Sequence, residues 1–174
     1  ETLALCERLG FPTVNMDDRV GWCEYGKGEE MIAVLGHLDV VPAGDGWNAA
    51  APFSGEVKDG RIYGRGTMDD KGPTVAALYA LAALKDAGFI PSRRIRILFG
   101  TNEETGCDDM AWYLAHGGET PVMGFTPDGE YPIINGEKGI MNCVYSRRLE
   151  QTGPCRLLRF EGGTAANVSP AYAL

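Results

Sequence analysis

Gly36-His37-Leu38-Asp39, Asp69-Asp70, Thr101-Asn102-Glu103-Glu104 and Pro127-Asp128 are the segments of this chain whose residue types could do chemistry. Together they offer one imidazole and several carboxylates. Carboxylates brought together repel and raise one another's proton affinity unless cations neutralise them, so such a cluster calls for metal. Imidazole plus carboxylate oxygen suits zinc, with manganese or cobalt as substitutes. Two ions about 3.5–4 Å apart, bridged by a carboxylate and a water, would form a co-catalytic hydrolytic centre. On an extended backbone, positions i and i+2 face the same side. Asp39 can therefore accept a hydrogen bond from the His37 ring nitrogen that does not touch metal, which fixes the tautomer.

Each segment also has an ordinary reading. Glu103-Glu104 can favour the N-terminus of a following helix through its dipole. Asp69-Asp70 can cap a helix, and Asp128-Gly129 is a common turn pair. A histidine near an aspartate is often only a satisfied polar group. Gly64-Arg65-Gly66 ahead of a helix suggests a dinucleotide loop, but Asp69 stands where the third glycine of that fingerprint belongs and would turn negative charge toward the pyrophosphate.

The elements that must position these groups are legible from periodicity. Residues 31–35, 95–99 and 122–126 are short apolar runs bounded by Gly, Pro or charge, the pattern of strands buried in a sheet. Between the first two, Val75, Leu78, Tyr79 and Ala82 repeat at helical spacing, with Pro73 early and Gly88 after the end, which predicts an amphipathic helix over 73–87. A second helix is predicted over 106–116, with Met110, Tyr113 and Leu114 on one face, and a frayed one over 2–9. Strands alternating with helices predict an α/β layered domain, and in open α/β sheets the ligand crevice lies beyond the carboxyl ends of the strands. The three strand ends lead into His37-Leu38-Asp39, Glu103-Glu104 and Asp128, and Asp69 sits just ahead of the long helix. After about residue 139 the pattern changes, and 140–146 and 156–161 read as a strand pair around a turn at Gln151-Thr152-Gly153-Pro154, the start of a second domain.

Composition narrows the function classes. The chain has 174 residues, 44% hydrophobic and 23% charged, which excludes disorder and collagen-like fibres. No apolar run approaches the ~18 residues of a membrane-spanning helix. Its formal net charge of −8 disfavours nucleic acid or an anionic membrane surface as partner. Five cysteines at irregular spacing, without Cys-x-x-Cys, fit the reducing cytoplasm. A chain that opens on Glu1 and stops at Ala171-Tyr172-Ala173-Leu174 with no stop signal for its last element reads as a piece of something longer.

The segments His37-Leu38-Asp39-Val40-Val41-Pro42, Gly64-Arg65-Gly66-Thr67-Met68-Asp69-Asp70-Lys71-Gly72, Thr101-Asn102-Glu103-Glu104-Thr105-Gly106 and Phe125-Thr126-Pro127-Asp128-Gly129-Glu130 resemble the signature blocks of metallopeptidase family 20. That family includes dipeptidases, N-acyl amino acid deacylases and desuccinylases, and glutamate carboxypeptidase. The likeness spans most of residues 31–140. Gly44-Asp45-Gly46-Trp47, Pro52-Phe53-Ser54-Gly55 and Ile134-Asn135-Gly136-Glu137-Lys138-Gly139 look most like its bacterial dipeptidase V branch.

The resemblance implies a three-layer, zinc-exopeptidase-like catalytic domain with a central mixed β-sheet over 1–139, and the beginning of an α+β lid domain over 140–174. It implies two divalent cations, most readily zinc. His37 and Asp128 would be ligands of one, Glu104 a ligand of the other, and Asp69 the bridging carboxylate. By the same likeness Asp39 orients His37 and Glu103 is the general base, taking a proton from the attacking water and passing it to the leaving amine. The implied substrate is a dipeptide or short peptide. An N-acyl amino acid deacylase with the same site, or a catalytically silent binding homologue, are the alternatives. The family draws its last ligand, a His, from far downstream, whereas the second histidine here, His116, falls on a predicted helix outside the motifs.

Overall fold

The computed structural model describes residues 1–130, 132–139, 141, 143–150 and 152–163. The chain divides into two compact units, Glu1–Ile133 and Ile134–Leu174. In the first, the described elements run α1 (Thr2–Arg8), β1 (Thr13–Met16), β2 (Val20–Tyr25), β3 (Met31–His37), β4 (Glu56–Lys58), β5 (Arg61–Tyr63), α2 (Lys71–Asp86), β6 (Arg94–Gly100), a single 3-10 turn (Glu103–Thr105), α3 (Asp108–Ala115) and β7 (Met123–Phe125).

Five strands form one mixed sheet in the order β1-β2-β6-β3-β7, and β4 and β5 form a separate hairpin. β3 is parallel to both β6 and β7, while β2 pairs antiparallel with β6 and with β1. Period-two alternation sends neighbouring side chains to opposite faces. Val34, Ile97 and Phe99 pack with Leu78, Leu81 and Ala82 of α2 and Cys6 of α1 on one face, whereas Met31, Ala33 and Leu98 pack with Tyr113 of α3 on the other. The result is three layers, and it explains why β3 and β6 read as continuous apolar runs: both of their faces are covered.

The expected helices and strands lie where the sequence places them, with two differences. In α2 the buried stripe is Thr74, Leu78, Leu81 and Ala82, while Val75 and Tyr79 are exposed. The stripe is rotated because the Thr74 hydroxyl turns inward to donate to Asp70 Oδ2 at 2.7 Å. In the second unit, the described residues of 140–146 and 156–161 form no strands. Met141, Val144, Tyr145, Leu158 and Phe160 there are exposed. A two-stranded ribbon without an apolar layer to pack on is marginal in water, which accounts for the missing ladder. Residues 140, 142 and 151 of these expectations lie outside the described set.

Register sets the site. His37 lies opposite Gly100 at the end of β6, and Val34 lies opposite Phe125 at the end of β7. Three residues past Val34 comes His37, and three past Phe125 comes Asp128, so parallel strands carry both to the same level. The approach of α2 to β3 depends on Gly36. A Cβ there would overlap the Thr74 hydroxyl and lie 2.9 Å from Asp70 Oδ2, both buried groups. We expect Gly36→Ala to cost about 1–3 kcal/mol, in the range of overpacked cores. Urea unfolding checks this: the midpoint falls at unchanged slope, and an unmoved midpoint would show that α2 can shift freely at this contact.

Candidate metal centre

His37 closes β3 and is 3% exposed. Its Nδ1 lies 3.1 Å from the main-chain carbonyl of Asp39 and 3.3 Å from Asp39 Oδ1. We assign the Nδ1 proton to this contact, which leaves the Nε2 lone pair facing the opposite way. There it meets acids: Asp69 Oδ1 at 3.0 Å, Asp128 Oδ2 at 3.3 Å and Glu103 Oε2 at 4.0 Å. Ligand atoms of His37, Asp69 and Glu104 lie within 4.8 Å of one another, as do those of His37, Glu103 and Asp128. Six residues singled out in the sequence therefore meet at one place, delivered by the ends of β3, β6 and β7 and the segment before α2.

Asp39 acts more broadly than expected. Its carboxylate accepts from the backbone N–H of Glu103 at 3.2 Å and of Glu104 at 3.1 Å, so it fixes the turn that carries both acids. Glu104 is anchored again at its side chain, where Oε1 accepts from the Val41 N–H at 3.1 Å.

Two further aspartates support the site: Asp70, which reads in the sequence as a cap residue, and Asp109, which falls inside the predicted helix over 106–116. Asp109, buried at the start of α3, accepts from the N–H groups of Thr101 at 2.6 Å and Asn102 at 3.1 Å through Oδ2. It holds the strand end that leads into Glu103. Asp70 makes no cap bond to its own helix, and its Oδ2 takes the N–H of His37 at 3.2 Å. The signal that could have found them is thin, since an Asp at a helix start is already explained by capping, and one in the first turn by the helix dipole. His116 lies apart from the cluster: its exposed ring stacks on Trp112 at the end of α3, with centroids 4.2 Å apart. The Gly64-Arg65-Gly66 loop is braced by Arg65, which lies over the Trp47 ring and donates to the Ala43 carbonyl at 3.2 Å.

The electrostatics define what fits. Among the described residues, no lysine or arginine is ion-paired with Asp39, Asp69, Glu103, Glu104 or Asp128. An imidazole lone pair aimed at carboxylate oxygens is repulsive unless positive charge lies between them. Without metal, a proton takes that place. Burial lowers the proton affinity of His37, but Asp128, Asp39 and Glu103 outweigh it and raise its pKa. Burial raises Glu103, helped by Asp128, Glu104 and Asp69 and opposed by His37, and burial likewise raises Asp70. One proton cannot neutralise this many acids, whereas divalent cations on nitrogen and carboxylate donors would. The donor set thus fits such ions.

Comparison with known proteins gives the same direction. Residues 33–168 match the family model described as Peptidase family M20/M25/M40. The chain is 46% identical over 174 residues to YtjP of Bacillus subtilis (strain 168), which bears a provisional dipeptidase name, covering 98% of this chain and 37% of that protein. It is 45% identical over 170 residues to the Beta-Ala-Xaa dipeptidase of Lactobacillus delbrueckii subsp. lactis, covering 97% and 36%. Human carnosine dipeptidase 1 shares the fold, with a TM-score of 0.63 and 24% identity over 75% of this chain and 32% of that one. The chain spans little more than a third of the length of these curated relatives. Among the described residues no helix is long and apolar enough to cross a membrane.

The raised groups make a prediction about pH. Without metal, folded His37, Glu103 and Asp70 bind protons more tightly than the unfolded chain does. They therefore contribute stability below their ordinary values of 6.5, 4.5 and 3.8, and lose it as pH rises through the raised ones. We expect chelator-treated protein to melt at lower temperature as pH climbs from about 6 to about 8. Zinc-loaded protein should gain stability over the same range, because ligands must shed protons to bind metal. Melting curves with and without chelator check both; a metal-free curve that rises with pH contradicts the assignment.

Proposed function

This chain belongs to Peptidase family M20/M25/M40, and from that premise we propose that it carries the metal-binding part of a hydrolase that cleaves dipeptides or very short peptides. One observation supports this above the rest: His37, Asp69, Glu103, Glu104 and Asp128 converge from four separate segments, and among the described residues no lysine or arginine is ion-paired with these acids. In this reading His37 and Asp128 would be ligands of one divalent cation and Glu104 of the other, with Asp69 shared by both. Zinc suits the donors best, with manganese or cobalt as substitutes. The ions supply Lewis acidity, lowering the pKa of water and polarising a carbonyl.

The chain's own residues do the rest. Glu103 takes the proton of the attacking water and returns it to the leaving amine, a role that requires it not to be committed to a cation. Its raised proton affinity suits that role. Asp39 holds the His37 tautomer and, through the backbone of Glu103 and Glu104, keeps the base beside its acids. The names of the two curated relatives support a dipeptide substrate. Residues 140–174 serve as the opening of the lid that covers the substrate. Free cysteines throughout support a cytoplasmic setting.

The test uses the full-length protein with a panel of dipeptides and N-acyl amino acids and added zinc or manganese. We expect Glu103→Ala to lower kcat by about 10²-fold or more while metal content survives, and Asp69→Ala to lose both. Equal metal loss in the two variants would overturn the division of roles. Turnover of N-acyl amino acids in place of dipeptides would move the substrate class to the deacylases.

A further inference from the structure

Asp70 is the most enclosed acid at the candidate centre, with no exposed surface, and one of its oxygens, Oδ1, has no hydrogen-bond partner. It occupies the N-cap position of α2, where an Asp normally turns back to its helix's own free N–H groups. Here the side chain makes no such bond. Its Oδ2 instead accepts twice, from the His37 backbone N–H at 3.2 Å and from the Thr74 hydroxyl at 2.7 Å. Burying a carboxylate with an orphan oxygen is unfavourable, and forgoing a cap adds to that. The carboxylate at this helix start therefore ties a side chain of its own helix to the main chain of β3 in place of capping the helix.

What it serves follows from what the two ends of the bridge carry. One end is the main chain of His37; the other is the first turn of α2, directly after Asp69. His37 and Asp69 make the shortest contact in the cluster, Nε2 to Oδ1 at 3.0 Å. They belong to separate elements, and Asp69 is 57% exposed at its side chain, so its own surroundings hold it weakly. Gly36 leaves just enough room for the bridge, since any side chain there would meet Thr74 and Asp70.

We propose that Asp70 is a positioning residue for the metal pair, a buried bridge from β3 to α2 that sets the His37 to Asp69 separation without touching metal. This rests on the reading of the site as a metal centre. What the bridge needs is an accepting oxygen. An Asn at this position keeps that oxygen and puts its amide nitrogen in place of the oxygen that has no partner, whereas Ala removes the bridge.

The experiment uses full-length protein. It reads zinc affinity by competition with a chromophoric chelator, and amide exchange at His37 in the metal-free state. We expect Asp70→Ala to weaken zinc binding about 10- to 100-fold, the range for groups that orient ligands, and to speed His37 exchange about tenfold. Asp70→Asn should stay within about threefold of wild type on both. Wild-type zinc affinity in Asp70→Ala overturns the proposal, as does an Asn variant as impaired as Ala, because charge and not the bridge would then matter. Should Asp70→Ala not fold, Asp70→Asn and Thr74→Val decide: the first keeps zinc, the second weakens it about threefold or more, and either result reversed overturns the proposal. Wild-type protein that takes up no zinc overturns the metal-centre reading and this proposal with it. Zinc uptake that Asp70→Ala leaves unaltered overturns the proposal alone.

Discussion

Repulsion between carboxylates around a single imidazole is the constraint on which this fold turns. Asp69, Glu103 and Asp128 all come within 4.0 Å of His37 Nε2, and each would separate from the others if its backbone allowed. Half-exposed acids in water gain nothing by crowding. They are together because the scaffold holds them, and a scaffold that holds like charges together is storing affinity for a cation. The parallel register of β3 with β6 and β7 supplies the first level of restraint by ending three strands at one edge.

A second level lies behind the first. Asp39 accepts from the N–H groups of Glu103 and Glu104, Asp109 from those of Thr101 and Asn102, and Asp70 from that of His37. Loops at strand ends leave backbone donors without ladder partners, and a buried unpaired donor is unfavourable. In each case a carboxylate satisfies the donors and pins the loop in the same contact. Some acids of this region thus face the imidazole, and others brace the main chain that presents them. Bracing by carboxylate adds negative charge to an already negative region, which strengthens its demand for cations.

This division also explains what is legible in the sequence. β3, β6 and α2 are legible because both faces of the strands are covered and the helix is punctuated at each end. His37, Asp69, Glu103, Glu104 and Asp128 are legible as a group because each follows a strand or precedes a helix, and open α/β sheets gather such positions. β1 and β2 are not: Val20-Gly21-Trp22-Cys23-Glu24-Tyr25 buries only Val20 and Cys23, interrupted by a glycine and an acid, so its alternation is faint. The α2 stripe differs by one position from its apolar spacing because Thr74, polar by type, is buried by its bond to Asp70. Asp70 is hidden because capping already accounts for an Asp at a helix start, and Asp109 because an acid in the first turn of a helix is already favoured by the helix dipole; burial, which separates the roles, is a property of the folded chain.

The far end of the same sheet shows that an acidic chain can neutralise its carboxylates when structure alone requires it. At the start of β6, Arg96 donates to Glu24 at 2.8 Å, to Glu119 at 3.1 Å and to the buried Tyr113 hydroxyl at 2.9 Å, and lies over the Trp22 ring. Arg94 adds further bonds to the same two glutamates. Two acids there meet two guanidinium groups in one network. β6 therefore runs from an end where opposite charges are satisfied within the protein to an end where like charges are gathered and left open. Ile95, Ile97 and Phe99 of the strand pack into one core and Leu98 into the other, so the strand that carries the paired end also fixes the level at which Thr101 to Glu104 leave the sheet. One strand thus joins an edge where the acids are paired with guanidinium groups to an edge where, among the described residues, no lysine or arginine is ion-paired with the acids around His37.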